Sequence, residues 1–196
     1  LWILGVIGSL FSIVLVPYLM MIKHNLSLDA TSGSWLLPVV PPIVAGVPEG
    51  LLAAHWPHAI QACLLVLSYA LWGMGMFLAT IITVLFYARL MYRKLSPGPF
   101  VPAMWIAIGP IGMSIASLNM MCAAAIHIWP VYGPELRAAT ALYGLPVWGF
   151  GIYWLVLAIA VTLYAVRKQL PFTLGWWAFT FPLGVLAVST YTLYAH

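Results

Sequence analysis

SWLLPVVPPIVAG (residues 34–46), MWIAIGPIGMSIAS (104–117) and GWWAFTFPLGVLAVS (175–189) follow one plan. Each places a tryptophan near the start of an apolar run and a proline five to seven residues later. Taking Pro41/Pro42, Pro110 and Pro182 as equivalents, the steps are 69 residues (41 to 110) and 72 residues (110 to 182). A repeat of about 70 residues, each copy holding one proline-broken and one unbroken helix, is an architectural signal. Proline inside a helix removes a backbone hydrogen bond and clashes with the preceding turn. Within a bilayer such breaks survive only where protein or a water-filled cavity meets the freed backbone groups. Three equivalent breaks therefore predict a pathway enclosed by helices.

The surrounding composition fixes the solvent. The chain is 65% hydrophobic and 5% charged, with a mean hydropathy of +1.08. A water-soluble globule of this size needs far more polar surface, so the expected class is an all-α polytopic membrane protein. A transmembrane β-barrel needs short alternating segments, whereas these apolar runs are long and unbroken. The chain opens at Leu1 already inside an apolar run and closes at His196 as another ends. It is expected to be an internal piece of a longer protein.

Six helices are predicted over 1–22, 34–54, 59–92, 101–126, 143–168 and 174–195, each near or above the roughly 20 residues that span hydrocarbon. Of the seven Lys/Arg, Lys23, Arg89, Arg93, Lys94, Arg167 and Lys168 lie at or just after the C-terminal ends of helices one, three and five. Only Arg137 falls in an opposite loop, beside Glu135. By the positive-inside rule those six mark the cytoplasmic face. Trp35, Trp105 and Trp176/Trp177 then sit where helices two, four and six enter from that face, as an interfacial aromatic belt does. All three broken helices point the same way, so the copies are parallel and related by rotation about the membrane normal. They are expected to surround a central pore.

No apolar helix interior carries Asp, Glu, Lys or Arg, which argues against a proton relay or a cation site built on buried carboxylates. Helix dipoles, hydroxyls and a basic rim attract a loosely held anion without a fixed charge in the path. Pro110, Ser114, Ser117 and Met121 share one helical stripe, and Phe181, Val185, Ser189 and Thr192 share another. Such stripes either line a pore or let helices pack closely. Asn119 lies off the first stripe and is expected to bond across to a neighbouring helix. Cys63 and Cys122 read as core thiols, with no metal-binding spacing. His24, His55, His58, His127 and His196 sit at helix margins, better suited to interfacial packing than to holding haem between facing helices. No nucleophile has a base and an orienting acid in reach. Neither an enzyme nor a cofactor, a metal or a nucleic-acid partner is expected.

The runs at 35–46, 104–114 and 174–187, in this order, resemble the tellurite-resistance/dicarboxylate transporter family. That family also contains the slow-type anion channels of plant guard cells and fungal malate permeases, and the likeness covers nearly the whole chain. The resemblance implies ten helices arranged as five hairpins around a central pore, assembled as homotrimers, with proline-kinked inner helices. It also implies a phenylalanine on the ninth helix that plugs the pore. The six helices here then resemble the fourth to the ninth, so residues 1–196 form one transmembrane domain lacking the first three helices and the last. The charge pattern agrees, since a fourth helix should run from outside to inside. The plug corresponds to Phe181, directly before Pro182, with Phe179 as the alternative; on a helix the two face about 200° apart.

The resulting expectation is a multi-pass permease or channel of the inner membrane, passing small anions such as malate, sulfite, tellurite or inorganic ions. Its expected gate is Phe181, with Pro41, Pro42, Pro110, Ser114, Ser117, Pro182, Val185 and Ser189 at the kinks or along the lumen. Two rivals remain open: a haem-binding redox subunit held by the histidines, and a structural subunit of a larger membrane complex.

Overall fold

A computed structural model of the chain describes residues 1–52, 55–93, 100–170 and 172–195, apart from the side chains of 49–51. Lys94 and His196, the side chain of Glu49 and the last two residues of predicted helix two therefore lie outside the described residues. The helices are α1 (Trp2–Lys23), α2 (Val40–Val44), α3 (Gly46–Leu52), α4 (His58–Tyr92), α5 (Phe100–Ile106), α6 (Ile108–Ile128), α7 (Gly133–Val166) and α8 (Thr180–Tyr194). Short 3-10 segments occupy Leu28–Ala30, Gly33–Leu36, Pro130–Tyr132 and Leu174–Phe179. No strand occurs among the described residues.

Four stretches are long and apolar enough to cross a membrane: Trp2–Lys23, His58–Tyr92, Phe100–Ile128 and Pro130–Val166. The protein is an all-α polytopic membrane protein. The other two predicted helices are built from shorter pieces. The 3-10 turn at Leu174–Phe179 contributes about 12 Å of rise and α8 about 22 Å, together enough for a hydrocarbon layer of about 30 Å.

All three predicted breaks exist, but the prolines do not stand in mid-helix. Pro42, Pro110 and Pro182 each occupy the third residue of a new helix, namely α2, α6 and α8. The first turn of any helix has N–H groups without an internal partner, so proline there forfeits no bond. The chain thus stops one helix and restarts another at a slot where proline costs least. By contrast, α1 runs through Pro17 and α7 through Pro146, so proline alone does not decide a break.

Helix α7 starts at Gly133, ten residues before the predicted 143, which moves Glu135 and Arg137 from a loop into its first turns. Pro134 in the first turn and the acidic Glu135 beside it are ordinary helix-start chemistry, masked in the sequence by the charged pair.

The middle broken helix forms the centre. Within the span Phe100–Ile128, 94% of the most apolar window is buried, against 17% for α1, 28% for α4 and 22% for α7. Helix α6 packs against α2, α3, α4, α7 and α8. One apolar cluster gathers the three breaks, with Leu36, Val39 and Ile43 from the first, Met104, Ala107 and Ile108 from the second, and Val185 and Leu186 from the third. Phe86 of α4 and Trp154 of α7 close it from outside.

Small residues permit these close approaches. A Cβ on Gly33 would lie 1.8 Å from the Ala103 carbonyl oxygen, so the entry to the first broken helix is pressed against α5. A Cβ on Gly112 would lie 2.9 Å from Val185 Cγ1 and 3.0 Å from the Leu186 nitrogen, which fixes α6 directly on α8.

Candidate functional site

Breaking a helix leaves carbonyls without partners. At the first break, the Ser117 hydroxyl donates to the Ile43 carbonyl at 2.7 Å and the Trp2 indole to the Ala45 carbonyl at 3.0 Å. At the second, the Trp154 indole donates to the Met104 carbonyl at 2.9 Å. At the third, the Thr180 hydroxyl donates to the Trp177 carbonyl at 2.8 Å. The Met104 and Trp177 carbonyls also accept the backbone N–H groups of Ala107 and Thr180, so side-chain donors supplement local bonds at the breaks, as a low-dielectric surrounding favours.

The breaks meet at a cavity of about 770 Å³. Leu37 and Pro41 reach it from the first broken helix, Ile106 from the second, and Ala178, Phe181 and Pro182 from the third. Trp2, Gly5 and Val6 of α1 line another side. Leu37, Ile106 and Ala178 stand four residues before Pro41, Pro110 and Pro182, so each break brings the residue one turn ahead of a proline to this space. No charged or hydroxyl-bearing side chain lines it.

A second cavity of about 290 Å³ lies further along α6 and α8, between Val47, Met113, Ala116, Met120, Val185 and Val188. Phe181 belongs to the lining of both cavities. Its ring lies over Gly109, where an added Cβ would come within 3.3 Å of Cε1. Phe179 has different surroundings. Its ring is edge-on to Trp105 at 4.7 Å and to Trp176 at 5.5 Å, half-buried against the core.

The remaining residues singled out in the sequence fall into two groups. Pro41 and Pro182 border the large cavity and Val185 the small one, whereas Pro42 and Pro110 are buried in packing. Ser114, Ser117 and Ser189 are fully buried, line neither cavity, and donate to the carbonyls of Ile111, Ile43 and Leu186. Asn119 does not bond across, as expected of it, but donates to Ile115 one turn back on its own helix. The cross-helix bond is made by Ser117 instead. Cys122 is buried and Cys63 is exposed, so only one of the two thiols is a core residue.

His24, His55, His58 and His127 are exposed at helix margins, and among the described residues no three His, Cys, Asp or Glu gather as a metal site. Charge is polarised instead. Lys23, Arg167 and Lys168 are exposed at the same end as Arg89 and Arg93, and Asp29 pairs with Arg93 at 2.7 Å.

Comparison with known proteins meets this geometry at full length: the voltage-dependent anion channel family, SLAC1, matches residues 1–196. The chain belongs to that family. A chain of Methanocaldococcus jannaschii described as an uncharacterized transporter is 32% identical over 195 residues, covering 98% of this chain and 55% of that protein. The sulfite efflux pump SSU1 of Trichophyton rubrum is 34% identical over 183 residues, covering 89% of this chain and 48% of the pump. The malic acid transport protein of Schizosaccharomyces pombe is 23% identical over 168 residues, covering 82% and 38%. The chain thus spans about half the length, or less, of these relatives. No solved structure matches it. The resemblance carried by the three tryptophan–proline runs therefore stands at the level of the family.

Met113, Ala116, Met120 and Val188 were not singled out from the sequence. They recur at helical spacing on α6 and α8, yet the other faces of these helices are equally apolar, so periodicity carried no signal.

Proposed function

We propose that this protein passes small anions across the membrane through a path along the two cavities, with Phe181 as the gate between them. One observation carries the reading: all three helix breaks converge on a space without acidic side chains, and a single aromatic ring borders both of its compartments. The basic end, cytoplasmic by the positive-inside rule, concentrates anions at the mouth. The N-termini of α6 and α8 point toward that end and add favourable dipoles. An apolar constriction excludes water, so an ion stops until the ring moves aside. Held this weakly, an anion leaves as readily as it enters.

The names of the relatives favour a sulfur oxyanion such as sulfite, or a dicarboxylate such as malate; tellurite and inorganic anions are the other candidates. A homotrimer in the inner membrane is the assembly that the family resemblance supports. No covalent chemistry and no cofactor enter the proposal.

Its test is flux of labelled sulfite, malate and chloride through the intact protein in liposomes. Anion flux well above that of empty liposomes, with potassium excluded, is the expected result. Phe181→Ala should raise the rate severalfold. Correctly inserted protein that passes no anion would overturn the reading. Unchanged flux in Phe181→Ala would remove the gate alone.

A further inference from the structure

The last turn of α4 buries a positive charge that the described residues do not neutralise. Arg89 is 6% exposed, and neither Nε nor Nη1 meets an acceptor. Its guanidinium carbon stands 4.1 Å from the centre of the Phe100 ring, at the start of α5. Attraction to an aromatic face offsets only part of the cost of burying an unpaired ion. The rest of that cost is not met by the described residues, and an anion is the group that offsets it.

The chain has only three acidic side chains: Asp29, Glu49 and Glu135. Asp29 is taken by Arg93, in an exposed pair at 2.7 Å. Glu135 sits in the first turn of α7, at the opposite end of the spans. Glu49 belongs to α3, further from the basic end than Ile43, which packs on Gly75. Arg89 follows Gly75 by 14 residues in the other direction, about 21 Å along the helix axis. None of the three is placed to neutralise Arg89.

We propose that Arg89 holds an oxyanion of the phosphate or sulfate class at the basic face. The site is distinct from the Phe181 path, because Arg89 lines neither cavity. Phe100 covers one face of the guanidinium, leaving its planar fork of N–H donors to grip a tetrahedral oxyanion. The same chemistry is offered by the headgroup of an acidic lipid and by a free inorganic anion.

Thermal unfolding of the intact, delipidated protein in detergent separates the two sources. The additions are phosphatidylglycerol, phosphatidylcholine, inorganic phosphate and sodium chloride at matched ionic strength. Wild type should gain several degrees with phosphatidylglycerol or with phosphate, and Arg89→Lys should keep part of that gain. Arg89→Met should lose it and be the less stable protein whenever the anion is present. A response to phosphatidylglycerol alone assigns the site to a headgroup; a response to phosphate without lipid assigns it to a free anion.

The proposal falls if wild type responds no differently from Arg89→Met. It also falls if Arg89→Met is the more stable protein in every condition, as removal of an uncompensated buried charge predicts. If Arg89→Met does not fold, retention of phosphatidylglycerol or phosphate by wild type against Arg89→Lys in native mass spectrometry decides, and equal or absent retention overturns the proposal. Flux is measured separately, so failure here leaves the transport reading intact.

Discussion

Phe179 and Phe181 stand two positions apart and meet opposite environments. Phe179 is edge-on to two tryptophans, an arrangement in which each pair contributes about 0.5–1.5 kcal/mol beyond burial. Phe179→Ala should therefore destabilise the protein by about 1–3 kcal/mol in a fluorescence-monitored melt, without increasing flux. A larger flux gain from Phe179→Ala than from Phe181→Ala would exchange their roles. Gly109 supplies a finer test, because its missing side chain leaves room for the Phe181 ring. Gly109→Ala should alter flux in wild type and have almost no effect in a Phe181→Ala background, since the two changes act through one contact. Additive effects on the logarithm of the rate would show that Gly109 acts elsewhere.

At the scale of helices, the chain answers a single question three times: where do the backbone groups of a broken helix find partners? At the centre of the molecule, Trp154 of α7 reaches across to donate to the Met104 carbonyl. Trp154→Phe keeps the ring and removes the closer of two donors to that carbonyl, leaving the Ala107 N–H at 3.3 Å, at a cost of about 1 kcal/mol. A melting temperature equal to that of wild type would mean that the break finds another donor. Gly112 addresses packing rather than bonding. A methyl group there meets backbone as well as Val185, so Gly112→Ala should force α6 and α8 apart and destabilise by about 1–3 kcal/mol, as overpacking does. Loss of monodisperse protein on size exclusion would report the same separation. The helix starts at Pro42, Pro110 and Pro182 were legible as breaks, because proline acts locally. Their place in a first turn was not, because where a helix restarts depends on which donors lie opposite.

Across the whole molecule, charge is concentrated at one end while the cavities carry none. If the basic rim raises the local anion concentration, its influence must fade with screening. Replacing Lys23, Arg167 and Lys168 together by Gln should slow anion flux severalfold at about 10 mM salt, where the Debye length is about 30 Å. At about 0.3 M salt the difference should nearly vanish. Equal slowing at both salt concentrations would point to a structural role for these residues. The polarity of the molecule was readable beforehand, since Lys and Arg cannot enter hydrocarbon cheaply wherever the fold places them.

Composition alone determined that this chain is a bundle of membrane helices, because 5% charge leaves no alternative solvent for its surface. Run length marked the four stretches long enough to cross a membrane, and proline position marked where three helices break, since both are properties of the backbone within a few residues. Which face of each helix borders the cavity was decided only by tertiary structure. Ser114 and Ser117 looked the better lining, yet Met113, Ala116 and Met120 hold that place. In water an apolar stripe marks the inside. In a bilayer lipid and core are equally apolar, so a helix can turn on its axis without any change its own sequence would register. The turn is set by the closeness of Gly112 to Val185 and by the donors that reach each break.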